Sequence, residues 1–358
     1  MGDRSRAHER DAHCGDARLC RGAHRDGRVD PRVTRVTGAA RPTNDTTRPA
    51  PRTDIDAKRW LDVDFPGLEI GVAEYAEGPT GCSVFWFGKT VSLHVDVRGG
   101  SPGVVGDGYP VVDAICFAGG SIYGLEAATG VAAELFARKA YSTQWNDIQL
   151  VAGGIIFDYG RRANAIYPDK ELGRAAVRAL RPARFPLGPH GAGCLATAGH
   201  GETAEIAGQG GASRAVGPTR IAVSTVINAY GAIVDRNGDV VRGNRDSATG
   251  KRRRSEDVVA QTGAYDPPAL RGRVVTQNTN LTLVATDQKL DYWQLRSIAR
   301  QVHSSLARAI QPFNTRWDGD VLFAVSTQKV DNPKLDEVSL AIAASELAWD
   351  AALASFDP

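Results

Sequence analysis

Residues 276–286 read Thr-Gln-Asn-Thr-Asn-Leu-Thr-Leu-Val-Ala-Thr and join two kinds of chain. Upstream, residues 242–273 are dense in Arg, Gly, Asp, Ser and Pro, a composition typical of an exposed loop. Downstream, apolar residues alternate with polar ones, which predicts a strand. The apolar positions are Leu281, Leu283 and Ala285. Thr279 is therefore predicted to stand where flexible chain meets rigid chain.

The upstream loop is long enough to need an explanation. A loop of this length inside a compact domain is usually functional or disordered. It carries the basic run Lys-Arg-Arg-Arg at 251–254, which resembles a nuclear localisation signal. A solvated loop face explains such a run more simply. We interpret the segment as an exposed loop that leads into the Thr279 strand.

The position of Thr279 has a chemical use. If the Asn278–Thr279 peptide bond is cut, Thr279 gains a free α-amine with an ordinary pKa of about 8, which suits a base acting on its own hydroxyl. One residue would then supply both nucleophile and base. The alternative is that Thr279 merely begins the strand, and this stretch alone leaves both interpretations open.

A second candidate element is Trp-Asp-Gly-Asp at 317–320. Asp318 and Asp320 flank a glycine just before residues 321–326, an apolar run that predicts a strand. Side chains in this place can converge on the head of a neighbouring strand. They can equally be turn residues or half of a cation site, and the pattern does not decide between these.

The remaining chain from residue 60 predicts alternating strands and helices. The predicted strands cover residues 68–73, 82–87, 91–97, 113–118, 148–157 and two stretches within 220–234, and the predicted helices cover 123–135, 170–180, 291–310 and 340–353. Asp291 is well placed to cap its helix. The Gly-Gly-Ser turn at 119–121 lacks a nucleotide-binding fingerprint, so it predicts close packing of a helix on a sheet rather than a nucleotide site.

Composition narrows the class of protein. The chain has 358 residues, 42% of them hydrophobic, which is enough for a full core. A net charge of +2 argues against nucleic acid or an anionic membrane as partner. No apolar run is long enough for a membrane helix or a secretory signal, so we expect a soluble protein. Five scattered cysteines favour the reducing cytoplasm.

Residues 1–57 are rich in Arg, Asp, Gly, Thr and Pro and poor in large apolar residues, which predicts a disordered extension. Acidic residues interrupt its basic character, so RNA binding is not favoured over an upstream-start artefact. Four residues could form a zinc site only by chance in so polar a stretch, and we predict no metal or other cofactor. These residues are His13, Cys14, Cys20 and His24.

Several ordered motifs carry a resemblance to a known family. They are Asp-Phe-Pro-Gly at 64–67, Glu-Gly-Pro-Thr-Gly at 77–81, Val-Asp-Val-Arg-Gly-Gly at 95–100, Ala-Gly-Gly-Ser at 118–121, Tyr-Pro-Asp-Lys at 167–170, Gly-Ala-Gly at 191–193, Gln-Val-His-Ser-Ser at 301–305 and Asp-Gly-Asp at 318–320. From about residue 60 to the C terminus the chain resembles the L-aminopeptidase/D-esterases and β-peptide aminopeptidases, and in particular the 6-aminohexanoate-oligomer hydrolases that degrade nylon oligomers.

The resemblance implies an α+β fold, a four-layer αββα sandwich of the self-processing aminopeptidase/ornithine acetyltransferase type. It implies a single domain, residues 58–358, with autocleavage between Asn278 and Thr279 into chains 1–278 and 279–358, and a homo-oligomer of the processed units. Thr279 becomes the nucleophile, Asp318 and Asp320 orient it and its amine, and Asn228 donates to the oxyanion. An Asn in that place can also simply pair with backbone at a strand end.

Two residues depart from the resemblance. His200 stands where the nylon hydrolases carry Lys, so its charge depends on pH, and we include it among the candidate catalytic residues. Phe157 stands in the substrate pocket where they carry Tyr, which removes a hydroxyl and implies a shifted substrate preference. The expected substrate is a small or oligomeric amide, with 6-aminohexanoate oligomers first.

Three alternative functions stay open. The first is an aminopeptidase/D-esterase on β- or D-amino-acid peptides. The second is an ornithine acetyltransferase-like enzyme, which passes its acyl group to an amine instead of water. The third is an RNA-binding or scaffold protein with an inactive core, against which the presence of Thr279, Asn228, Asp318 and Asp320 argues.

Overall fold

A ten-stranded mixed sheet joins the two halves of the chain in the computed structural model, which describes residues 40–182, 184–265 and 278–357. The helices are α1 (Asn44–Thr47), α2 (Glu126–Arg138), α3 (Lys170–Arg178), α4 (Ser255–Thr262), α5 (Tyr292–Ser305) and α6 (Glu337–Leu353). The strands are β1 (Arg59–Asp62), β2 (Glu69–Tyr75), β3 (Thr80–Val97), β4 (Val104–Val105), β5 (Val111–Ala118), β6 (Val151–Ile155), β7 (Arg181–Pro182), β8 (Arg184–Leu187), β9 (Thr197–Ala198), β10 (Glu205–Ile206), β11 (Gly208–Val216), β12 (Thr219–Asn228), β13 (Ala232–Val234), β14 (Val240–Arg242), β15 (Thr279–Gln288), β16 (Ile310–Gln311) and β17 (Val321–Val330).

The main path of the sheet runs β11-β12-β15-β17-β3-β5-β6-β4; β2 also pairs with β3, and β7 pairs with β2. The pairs β15–β17 and β5–β6 are parallel, and the other neighbours are antiparallel. The parallel pair β15–β17 matters most for the site, because both strands begin at one edge of the sheet. The strand predicted over residues 281–286 is confirmed as β15, and the first of the two stretches predicted within 220–234 is confirmed as β12, which ends at Asn228.

Strand β3 corrects one prediction. Residues 82–87 and 91–97 were expected as two strands, whereas β3 is continuous over 18 residues. The polar residues 88–90 looked like a turn, but they lie in an exposed irregularity where the register with β5 shifts between Trp86 and Val91. The continuity has a consequence, because β2 pairs with the first half of β3 and β17 with the second.

Apolar side chains pack on both faces of the sheet. Helices α5 and α6 cover β12, β15 and β17, with Leu295 and Leu340 against Val284 and Leu322. Helices α2 and α3 cover β2, β3 and β5. A third cluster contains Phe85, Phe117 and Phe323. The ring centroid of Phe117 lies 5.3 Å from that of Phe85 and 5.8 Å from that of Phe323. The fold is a mixed α/β fold with separate apolar clusters on its two helical sides.

Helix α5 begins as predicted. The Asp291 carboxylate accepts a hydrogen bond of 2.8 Å from the Gln294 backbone N–H, and the Gln294 side-chain Oε1 accepts one of 2.9 Å from the Asp291 backbone N–H. The helix ends at Ser305 rather than at the predicted residue 310, and Ile310 begins β16. The predicted loop 242–273 contains the helix α4, whose first turn carries Glu256 and Asp257, the charges that favour a helix start.

The N-terminal boundary at residue 57 is also corrected. Asn44 donates from Nδ2 to the Tyr167 carbonyl (3.0 Å) and to Asp169 (2.6 Å), and Arg52 pairs with Glu74 through both backbone and side chain. Residues 43–57 are thus attached by specific polar contacts, which an argument from apolar composition does not count. Residues 1–39, with the cysteines and histidines named above, lie outside the described residues.

The contact between α2 and α3 generates a stability prediction. A Cβ atom at Gly173 would lie 2.1 Å from the Ala127 carbonyl oxygen, and one at Gly130 would lie 2.1 Å from the Lys170 carbonyl oxygen. Alanine gains about 1 kcal/mol over glycine in helix propensity, but overpacking against rigid backbone costs about 1–3 kcal/mol. We expect Gly173→Ala to lower the free energy of unfolding in urea.

The matched control is Gly108→Ala, since a Cβ there meets nothing within 4 Å. It should leave the free energy of unfolding within about 0.5 kcal/mol of the parent. If the Gly173→Ala protein were more stable than the parent, the two helices α2 and α3 would have to move apart at no cost in free energy, and the prediction would be wrong.

Candidate active site

Strand register brings the candidate residues together. Thr279, the first residue of β15, lies opposite Asn228, the last residue of β12, in an antiparallel pair. On its other side β15 runs parallel to β17, and Asn278 forms a parallel bridge with Asp318. Thr279, Asn228 and the Asp-Gly-Asp loop, far apart in sequence, therefore meet at one sheet edge.

The carbonyl of Asn278 is held by two donors. The Gly319 backbone N–H donates to it at 2.9 Å, and the Thr279 Oγ1 hydroxyl donates to it at 2.6 Å. A Cβ atom at position 319 would lie 2.9 Å from Thr279 Oγ1. Glycine is thus required where the loop passes the hydroxyl. The sequence marked Gly319 only as a spacer between carboxylates and did not reveal its N–H as a donor.

Asp318 and Asp320 are both buried. Asp318 accepts from the Tyr230 backbone N–H (3.2 Å) and from the backbone N–H (2.8 Å) and hydroxyl (2.6 Å) of Thr315. Asp320 accepts from the backbone (2.7 Å) and side-chain (2.9 Å) N–H groups of Asn280. The partners Tyr230, Thr315 and Asn280 had no sequence signal, because each acts through its position beside the loop.

Burial sets the charge of these carboxyls. It raises the pKa of Asp318 above its ordinary value, although hydrogen bonds from Thr315 and Tyr230 oppose the rise. Burial and the neighbouring charge of Asp318 raise the pKa of Asp320 well above its ordinary value, and the Asn280 donors oppose this only in part. The pair is therefore suited to hold a proton beside Thr279.

The end of β3 holds the Asp-Gly-Asp loop in place. Arg98 N–H donates to the Asp320 carbonyl at 2.7 Å, and Ser101 N–H donates to the Asp318 carbonyl at 3.1 Å. A Cβ atom at Gly99, where φ is +82°, would lie 2.2 Å from the Asp318 carbonyl oxygen. The Arg-Gly-Gly sequence at 98–100 thus allows two backbones to approach directly.

A cavity of about 260 Å³ adjoins this edge. Asn228, Phe157, His200 and Asn278 all line it, whereas Thr279 is only 4% exposed. The Asn228 amide is oriented on both sides, since its Oδ1 accepts from Thr197 N–H (3.0 Å) and its Nδ2 donates to the Phe157 carbonyl (3.1 Å). The cavity brings together the predicted pocket residues and the bond predicted to be cut.

His200 contacts the carboxylate pair indirectly. Its ring packs on Tyr230 with centroids 4.5 Å apart, and Tyr230 N–H donates to Asp318. The cavity also contains Asp158, which was not predicted. Its carboxylate pairs with Arg162 at 2.7 Å and accepts from Thr80 (2.5 Å).

Asp158 also explains the Gly-Gly-Ser turn. The Gly120 backbone N–H donates to the Asp158 carboxylate at 3.0 Å, and the turn then enters a short 3₁₀ helix, Ser121–Leu125, that leads into α2. The turn therefore joins β5 to α2, whose apolar residues pack against that strand, as predicted.

Two further findings concern the described residues only. Among them, no cluster of three or more His, Cys, Asp or Glu side chains is arranged to hold a metal ion. Within the same ranges no helix is both long and apolar enough to cross a membrane.

Comparison with known proteins gives a family and close sequence relatives. The pattern of peptidase family S58 matches residues 62–355. A 6-aminohexanoate-oligomer endohydrolase from Agromyces sp. (strain KY5R) is 42% identical over 324 residues, which cover 87% of this chain and 90% of that protein.

Solved structures agree on the fold. A β-aminopeptidase from Burkholderia sp. superposes with a TM-score of 0.59 at 15% identity, covering 85% of this chain and 88% of that one. The L-aminopeptidase D-Ala-esterase/amidase of Ochrobactrum anthropi, described as a variant of the Ntn hydrolase fold, superposes with a TM-score of 0.55 at 16% identity, covering 82% and 84%.

The raised pKa of Asp320 predicts a pH dependence of stability. Because the folded chain binds this proton more tightly than the unfolded chain, the stabilisation is present in acid and is lost as pH rises from the unfolded pKa, about 4, towards the folded one. The comparison is between Thr279→Ala and the double variant Thr279→Ala/Asp320→Asn. As the pH rises through that window, the free energy of unfolding of the double variant should increase relative to that of Thr279→Ala by roughly 1 kcal/mol per pH unit. Urea unfolding from pH 4 to pH 7 measures it.

Asp336→Asn, made in the same Thr279→Ala background, is the control, because its effect on stability should change with pH in the opposite direction. The Asp336 carboxylate caps α6 by accepting from Ser339 N–H at 2.7 Å, which lowers its pKa. Its stabilisation is present above the unfolded pKa and is lost as the pH falls. A stability difference between Asp320→Asn and its parent that does not change with pH would contradict the proton assignment.

Proposed function

The chain belongs to peptidase family S58 and is an amide hydrolase, and on that premise we propose that it cuts its own Asn278–Thr279 bond and then uses Thr279 as an N-terminal nucleophile. The single observation that carries the proposal is the Asn278 carbonyl, which accepts from both the Gly319 N–H and the Thr279 hydroxyl. The scissile carbonyl and its nucleophile already lie together at an edge that also holds two buried carboxyls.

Autocleavage would proceed as an acyl shift. Thr279 Oγ1 adds to the Asn278 carbonyl carbon, and the negative charge that develops on the oxygen is held by the Gly319 N–H. The C–N bond then breaks, the nitrogen takes up the hydroxyl proton, and residues 1–278 remain attached as an ester of Thr279. Water hydrolyses the ester, which leaves a carboxylate on Asn278 and a free amine on Thr279.

Turnover would use the new amine. It removes the proton from Thr279 Oγ1 as the hydroxyl attacks a substrate amide, and it returns that proton to the leaving amine. The Asn228 side chain donates to the oxyanion, while Asp318 and Asp320 orient the Thr279 amine. Water releases the acyl group from Thr279 and regenerates the enzyme.

We also propose the finer architecture, a four-layer αββα sandwich. The support is the division of the core into one cluster under α5 and α6, one under α2 and α3, and a third rich in aromatic residues. We propose the cytoplasm as compartment, because Cys82, Cys116 and Cys194 are free thiols. An oligomer of processed units stays a prediction from the family.

As substrate we propose 6-aminohexanoate oligomers cleaved at internal amides. An aminopeptidase must bind a terminal ammonium group, for which a free carboxylate is the natural partner. Asp158 is the one side-chain carboxylate among the described cavity residues, and it is neutralised by buried Arg162. The cavity therefore favours an internal, uncharged acyl chain over the aminopeptidase alternative. An acetyltransferase-like activity would be detected as acyl transfer to an added amine.

The first test is processing. Purified protein should separate on a denaturing gel into two fragments, and sequencing of the smaller should begin at Thr279. Thr279→Ala should give one full-length chain without hydrolase activity, because nucleophile and base are both lost. Thr286→Ala, the same change at the far end of β15, should still be cut. A hydrolytically active protein that stays in one piece would rule out the mechanism.

The second test is substrate. We expect the processed enzyme to shorten 6-aminohexanoate oligomers, measured by chromatography of the products, with internal cuts appearing before free monomer. The Thr279→Ala chain, purified in the same way, is the negative control. Rapid hydrolysis of ordinary L-peptides with no action on the oligomers would overturn the substrate assignment and leave the processing mechanism standing.

A further inference from the structure

Two adjacent arginines beside the cavity have different surroundings. Arg162 is buried, pairs with Asp158, donates to Asn164 at 2.8 Å and stacks on Tyr159. Arg161, the last residue of the 3₁₀ helix Tyr159–Arg161, lines the cavity and is exposed. Within the described ranges it has no ion pair and no side-chain hydrogen bond. Arg162 is committed to the fold, and the Arg161 guanidinium remains available to a ligand.

In the uncut chain the described lining of the cavity carries a net positive charge. The charge of Asp158 is balanced by Arg162, so Arg161 adds a positive charge that no side-chain carboxylate among the described lining residues offsets. His200, which also lines the cavity, adds a second basic group. Cleavage would add the carboxylate of Asn278 to this lining, and Arg161 would remain the guanidinium that an anionic end of a substrate can meet.

The cavity lies on the acyl side of the reaction. Asn278, which lines it, supplies the acyl carbonyl of the bond proposed to be cut. In the processed enzyme the acyl part of a substrate must occupy the same side of Thr279 to form the ester. Phe157, Leu195 and Ala204 provide apolar walls that suit a chain of methylene groups.

We propose that the enzyme also hydrolyses amides of ω-carboxyacyl groups, the monoamides of linear dicarboxylic acids, and that Arg161 binds their terminal carboxylate. The guanidinium forms paired hydrogen bonds with a carboxylate, while Phe157 and Leu195 contact the methylene chain. The inference rests on the proposed nucleophile, because the acyl group is carried as an ester of Thr279. Arg161 is a specificity-determining residue.

Three p-nitroanilides with acyl chains of equal length test the proposal: 5-carboxypentanoyl, hexanoyl and 6-aminohexanoyl. Processed wild-type enzyme should show a kcat/KM for the carboxyacyl compound at least about tenfold above that for the aminoacyl compound, and the preference should shrink with added salt. Arg161→Met should lower the carboxyacyl value about tenfold, mainly through KM, and leave the hexanoyl value within about twofold.

Matched variants sharpen the result. Arg161→Lys should retain part of the preference, and Arg161→Glu should reverse it in favour of the aminoacyl compound. Arg214→Met, which removes an exposed arginine from β11 outside the cavity lining, should change none of the three values.

The outcomes separate the two proposals. Hydrolysis of the hexanoyl compound with no preference for carboxylate, or an equal loss on all three substrates in Arg161→Met, overturns this inference and leaves the Thr279 mechanism intact. A processed protein that turns over none of the three overturns both.

Discussion

Parallel pairing of β15 with β17 is the constraint on which the site depends. Leu281 pairs with Val321, so the residues just before the two strands arrive side by side, and Asn278 lies in register with Asp318. Antiparallel β12 brings Asn228 to Thr279 from the opposite direction. A slip of one residue in either pairing would turn these side chains to the other face of the sheet. The apolar side chains of β15 and β17, held between the helical layer and the core, prevent that slip.

This pairing brings backbone segments close together around Asp318 and Asp320, and their close approach sets the charge of the two carboxyls. The end of β3, the Asp-Gly-Asp loop and the head of β15 pass so close that Cβ atoms at Gly99 and Gly319 would collide with their neighbours. Such packing excludes water, and the exclusion raises the pKa of Asp318 and Asp320. A proton that enters this site is therefore held by the carboxyls. In the proposed reaction the same dryness strengthens the bond from the Gly319 N–H to the developing oxyanion.

The sequence alone was sufficient for local features. Alternation identified β15, the Asp291 cap identified the start of α5, and the positions of Thr279 and Asp318 relative to their strands were read correctly. It was insufficient where tertiary contact overrides local pattern. Residues 88–90 look like a turn, but β3 continues through them because the stretches before and after them pair with β2 and β17. Residues 43–57 are attached by polar contacts of Asn44 and Arg52 and by Ile55, which packs against the core. The donor role of Gly319 has no side-chain signal, since it is made by a backbone N–H.

The arrangement connects the proposed self-processing with the proposed substrate. Before cleavage the chain supplies its own acyl group, Asn278, at the carbonyl position bounded by Gly319 and Thr279. A cavity that must accept this neutral segment has no need of a free carboxylate, and Asp158 is accordingly committed to Arg162. In the proposed mechanism the described side chains around the reacting carbonyl therefore offer no unpaired carboxylate to a substrate ammonium group. On this argument the proposed preference for internal amides over N-terminal residues would follow from the proposed self-cleavage.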